Sequence, residues 1–96
     1  MTETIDDLTV TYVEGGIETT KELDKVVLSK GGWATVLYRY QDWDRSKEDY
    51  GQERYTIRRY QKRNGEYRQQ SKFNISSRAQ AQAIVDALQG WLREED

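Results

Sequence analysis

Basic and aromatic side chains crowd one stretch of this chain. Residues 54–78 hold eight basic residues (Arg54, Arg58, Arg59, Lys62, Arg63, Arg68, Lys72 and Arg78) against Glu66 alone, a net charge of +7. Cations neutralise phosphates, and unpaired bases stack on aromatic or guanidinium planes at roughly 1–3 kcal/mol per base. Arg58, Lys62, Arg68 and Lys72 with Tyr60 therefore have the composition that a single-stranded nucleic acid requires. Arg39, Tyr40 and Trp43 lie on an earlier stretch that extends such a surface. The alternative is a sheet face kept solvated by Lys and Arg, which also blunt edge pairing.

Other chemistries find less support. Asp42 and Asp44 flank Trp43, but a carboxylate pair at a strand end reads as the entrance to a charged loop rather than a hydrolytic dyad. Asp42, Asp44, Glu48 and Asp49 lack the ligand alternation and closing Glu of a calcium loop. Gly31-Gly32 and Asn64-Gly65 do not open helices with the Gly and Lys spacing of a phosphate loop. The chain has no His and no Cys, which removes the commonest general base, thiolate metal sites and disulfides. The expectation is a protein that is not an enzyme and uses no metal or cofactor.

A chain of 96 residues is one domain's worth, and its 35% hydrophobic and 33% charged residues leave little for a thick core. Self-association would add apolar burial, so a dimer is expected. The overall charge of −2 conceals an uneven distribution. Residues 1–53 carry six basic and twelve acidic side chains, a net of −6, and residues 79–96 carry one basic and four acidic, a net of −3. The opening Met1-Thr2-Glu3-Thr4-Ile5-Asp6-Asp7 has neither the basic nor the apolar region of a signal peptide. No apolar run reaches the ~18 residues of a membrane span. A cytoplasmic location is expected.

The elements that must position the basic residues read as four strands and a helix. Residues 1–20 read as a mobile or weakly docked arm, within which 9–13 could pair as an edge strand. Residues 21–96 read as the folded domain. Leu23 to Leu28 and Trp33 to Asp42 are predicted strands around a Gly31-Gly32 turn. A charged loop over 43–52 follows, then strands Arg54 to Lys62 and Glu66 to Ile75 around Asn64-Gly65, the strongest hairpin signal in the chain. A two-residue loop would pair Arg63 with Glu66 and mix the faces. A three-residue loop with a bulge at Gly65 pairs Lys62 with Glu66. It sorts Tyr55, Ile57, Gln61, Tyr67, Ser71, Phe73 and Ile75 to one side, and Arg58, Tyr60, Lys62, Arg68, Gln70, Lys72 and Asn74 to the other, so the bulged register is preferred.

Residues 77–93 are predicted helical, with Ser77 as N-cap and Gln80 completing a capping box. Ala81, Ile84, Val85, Leu88, Trp91 and Leu92 form one apolar stripe. Ile84, Leu88, Trp91 and Leu92 are the expected dimer contacts. Trp33 is expected in the core and Trp43 in an exposed loop. The fold class expected is α+β: a four-stranded antiparallel sheet with one C-terminal helix lying across its apolar face.

Two segments carry a resemblance. Val36-Leu37-Tyr38-Arg39-Tyr40-Gln41-Asp42-Trp43, and Lys72-Phe73-Asn74-Ile75-Ser76 running into the helix, resemble the single-stranded DNA-binding domain of the transcriptional coactivator positive cofactor four and the related Whirly fold. The likeness covers about residues 23–93. It implies a homodimer joined largely through the helices, with curved sheets facing single-stranded DNA. It also implies nucleic-acid contacts at Arg39, Trp43 and Lys72. The rival expectation is an interaction or assembly module whose basic face meets an acidic partner.

Overall fold

The computed structural model describes residues 4–94; Met1, Thr2 and Glu3 of the arm lie outside the described residues. A one-turn 3-10 helix, Ile5–Asp7, precedes strands β1 (Tyr12–Glu14), β2 (Ile17–Ser29), β3 (Trp33–Asp44), β4 (Asp49–Tyr50), β5 (Arg54–Arg63) and β6 (Glu66–Ile75), and the helix α1 (Arg78–Arg93) closes the chain. The strands form one sheet in the order β1-β2-β3-β5-β6, with β4 paired to the end of β3, and every pairing is antiparallel. The α+β class and the C-terminal helix agree with expectation, but the sheet has six strands rather than four. The additions come from the supposed arm, which supplies β1 and the first residues of β2, and from the supposed loop, where Trp43 pairs with Tyr50.

Because side chains alternate across a strand, cross-strand partners share a face. Glu22, Lys25 and Val27 on β2, Ala34, Val36, Tyr38 and Tyr40 on β3, and Arg54, Thr56, Arg58 and Tyr60 on β5 all point to one side, with Lys72 and Asn74 beyond them on β6. The core forms here. Ala34, Val36, Tyr38 and Thr56 are fully buried, and Leu8 and Val10 from the N-terminal segment close over Val36, Tyr38, Tyr40 and Tyr60. Each of these two aliphatic side chains contributes about 1.5–3 kcal/mol on burial. The opposite side carries a transverse row, Val26-Leu37-Ile57-Phe73, built from direct partners on four strands.

The β5–β6 hairpin departs from the expected register. The loop has two residues, Asn64 and Gly65, both at positive φ (52° and 79°), and Arg63 pairs with Glu66. This is the twist that a tight hairpin favours. The extra residue sits instead at Gln70, between the pairs Arg59–Ser71 and Tyr60–Gln69. A strand's side-chain period is two, so one inserted residue exchanges the faces on one side of it. Lys72, Phe73, Asn74 and Ile75 keep their expected sides. Tyr67 and Arg68 exchange theirs.

The helix begins as its sequence dictates. The Ser77 hydroxyl accepts from the Gln80 backbone N–H at 3.1 Å, and the Gln80 amide oxygen accepts from the Ser76 N–H at 3.0 Å. It does not lie across a sheet face. Its main contact is with β6; Ala81 and Ile84 are half-buried, while Val85, Leu88, Trp91 (66% exposed) and Leu92 face outward. The molecule is consequently thin, 51 × 38 × 17 Å, with a radius of gyration of 15.5 Å where a compact chain of this length has about 12.5 Å.

Candidate nucleic-acid interface

Arg58 and Lys72 are direct cross-strand partners on the tyrosine-bearing face. Two like charges placed opposite each other are unfavourable unless something anionic lies between them. The Arg58 guanidinium donates through Nη1 to the Gln69 amide oxygen at 2.8 Å and through Nε to the Thr56 hydroxyl at 3.3 Å, which fixes its direction along β5. Thr56 is held in turn by donating to the Asn74 side-chain oxygen at 2.8 Å. Lys62 lies four residues along the same strand and face, roughly 13 Å away at ~3.3 Å per residue. Its ammonium sits 5.4 Å from the centroid of the Tyr67 ring. Among the described residues, Arg58, Lys62 and Lys72 make no ion pair, whereas Arg39, Arg45, Arg54 and Arg68 do.

The other expected contacts separate from this strip. Arg68 falls on the opposite face, across from Gln61, and pairs with Glu66 at 3.6 Å, because the bulge lies at Gln70 rather than in the turn. Arg39 is on that opposite face too, between Asp24 at 3.9 Å and Glu53 at 3.6 Å. Tyr60 shares the face of Arg58, but it is only 5% exposed, and its hydroxyl bonds that of Tyr38 at 2.9 Å. Burial raises the pKa of both phenols, so both stay neutral at physiological pH. Trp43 is half-buried at the far end of β3, edge-on to Tyr50 with centroids 5.1 Å apart. Of the seven residues first proposed, the fold thus unites Arg58, Lys62 and Lys72 as a strip, the two lysines exposed and Arg58 half-buried, with Tyr60 beneath cover beside it.

Sequence reasoning missed two aromatic positions. Tyr67 joins the basic side once the bulge is placed correctly. Trp33, expected in the core, is 42% exposed, with the Arg59 guanidinium 4.5 Å over its ring. The carboxylates considered for catalysis have structural partners: Asp42 accepts from the Thr20 hydroxyl at 3.1 Å and lies 3.9 Å from Arg54. Asp44 accepts from the Ser46 hydroxyl and N–H at 2.6 and 2.9 Å, which lowers its pKa. Among the described residues no group of three or more acidic, His or Cys side chains could hold a metal ion, and no helix is long and apolar enough to cross a membrane.

What these features define is an α+β protein with an antiparallel sheet and one terminal helix. Comparison with family models, with curated proteins and with solved structures finds no match to the chain. The likeness to positive cofactor four therefore rests on the two sequence segments quoted above.

Proposed function

We propose that this chain is a homodimeric binding protein for single-stranded nucleic acid, DNA rather than RNA, acting in the cytoplasm in a role such as transcription regulation and performing no catalysis. The observation that carries the reading is the strip Arg58, Lys62 and Lys72: three cations on one face of β5 and β6, without acidic partners among the described residues, beside the ring of Tyr67. Phosphates engage the cations, and an unpaired base stacks on Tyr67.

The dimer is supported by apolar surface that the protomer leaves uncovered. The row Val26-Leu37-Ile57-Phe73 lies on one side of the sheet, and the helix presents Val85, Leu88, Trp91 and Leu92. A second copy, packing its helix against this one, closes both. Ile84, already half-buried against its own protomer, sits at the inner edge of that contact.

Fluorescence anisotropy with labelled oligo-dT tests the reading. Three phosphate contacts give a slope of log affinity against log salt of roughly −2 per protomer. Arg58→Ala or Lys72→Ala weakens binding and lowers that slope by about one contact's worth, while Arg68→Ala, on the other face, changes little. Absence of binding at low salt overturns the reading. Equal competition by duplex DNA and heparin favours the assembly-module alternative, in which the strip meets an acidic protein.

A further inference from the structure

The N-terminal segment lies on the same side of the sheet as the cationic strip, and few groups hold it there. Within residues 4–11 only Leu8 and Val10 are buried, at 5% and 7% exposure. Ile5 packs half-buried against the same core, and the remaining attachment is polar. The Lys25 ammonium donates to the backbone carbonyls of Ile5, Leu8 and Asp6 at 2.7, 2.7 and 3.1 Å, and the Thr9 hydroxyl donates to the Glu22 carboxylate at 2.6 Å.

The floor beneath is mainly tyrosine, with Val36 among the rings. Tyr38, Tyr40 and Tyr60 lie under Leu8 and Val10, with Arg58 and Thr56 on the same side. At the segment's outer end an open cleft of about 550 Å³ is lined by Ile5 and Asp6 together with Lys30, Lys62 and Tyr67. The segment is also acidic, with Asp6 and Asp7 in its single helical turn. An acidic segment whose Ile5, Leu8 and Val10 pack against the tyrosine-bearing core shares with a single strand its negative charge and its apolar contacts, Leu8 and Val10 lying where bases would stack.

We propose that residues 4–11 are a displaceable occupant of the nucleic-acid face, and that a bound single strand expels them and stacks bases on Tyr38, Tyr40 and Tyr60. The proposal rests on the nucleic-acid reading above. Release needs no loss of the sheet, because β1 stays paired to β2 from Tyr12 onward. The protein then has a shut form, with only the β5–β6 strip accessible, and an open form with a continuous cationic and aromatic surface. Apparent affinity scales with the open fraction.

The Lys25→Met variant of the full chain tests this, because it frees the segment while deleting a cation from the face. A purely electrostatic account expects weaker binding to oligo-dT. Displacement expects tighter binding, several-fold to about tenfold. Hydrogen exchange supplies a second readout. The Leu8 N–H bonds to the Ile5 carbonyl and the Thr11 N–H to the Thr9 hydroxyl, each at 3.1 Å, and both exchange faster when oligo-dT binds the wild-type protein. Oligo-dT binding with these amides unchanged or slowed, or a variant that binds no tighter, overturns the proposal and leaves the nucleic-acid reading intact. Binding by the variant where the wild type binds nothing upholds it. No binding by either protein at low salt overturns both. Should Lys25→Met fail to fold by circular dichroism, Leu8→Ala loosens the same segment from its apolar side and is held to the same outcomes.

Discussion

The two faces of the sheet solve the problem of cover differently. One is closed from within the chain: Leu8 and Val10 fold back over Val36, Tyr38, Tyr40 and Tyr60, and the hydroxyls of Tyr38 and Tyr60 satisfy each other. The other is largely open, although Ile75 on it is buried. Phe73 is 52% exposed at the end of the apolar row, Trp33 is 42% exposed with the Arg59 guanidinium over its ring, and the helix expected to cover this face holds its own apolar stripe outward. The difference shows how a one-sheet chain distributes its apolar residues. It completes a small polar-aromatic core alone and leaves apolar surface uncovered, the surface proposed above to meet a second copy.

The largest expected effect breaks the open face. Leu88→Asp combined with Trp91→Asp places charge in the surface proposed to meet the second copy. Sedimentation should find twice the protomer mass for the wild type and a single protomer for the variant, with a lower melting temperature. A wild type that sediments as one protomer removes the explanation given for the exposed stripe.

The closed face is sharpened by the tyrosine pair. Tyr38→Phe or Tyr60→Phe alone leaves a buried hydroxyl without its partner and costs about 1–3 kcal/mol in urea unfolding, whereas the double variant costs less than the sum of the two. The same pair sets an alkaline dependence. Burial raises both phenols above the ordinary value of 10.0, so the stability they contribute is present below pH ~10. It is lost above that, as the unfolded chain ionises and the folded one does not. The fall in melting temperature between pH 9.5 and 11 should be steeper for the wild type than for the double Phe variant.

The smallest effect is local to the hairpin. Gly65→Ala, at φ 79° with nothing near the added methyl group, costs about 1 kcal/mol by backbone strain alone. It leaves the faces unchanged, because the register is offset at Gln70.

The features legible in the sequence are those that neighbours along the chain decide. The place of the Asn64-Gly65 turn is legible because both residues tolerate positive φ, although the sequence favoured a three-residue loop and the turn has two. Ser77 and Gln80 start the helix because their side chains reach amides within three or four residues. The α+β order follows from hydrophobic periodicity, which is a local count. The face of Arg68 was not legible, since an extra residue can sit anywhere between Glu66 and Ile75 and nothing in Gln69-Gln70-Ser71 marks it. Only cross-strand packing against β5 selects Gln70. The cover over Tyr60 was equally hidden, because Leu8 and Val10 sit in a polar segment and reach the core across more than twenty residues of chain. Local chemistry can specify a turn or a cap by itself, but the side a strand residue faces, and what covers it, depend on partners distant in sequence.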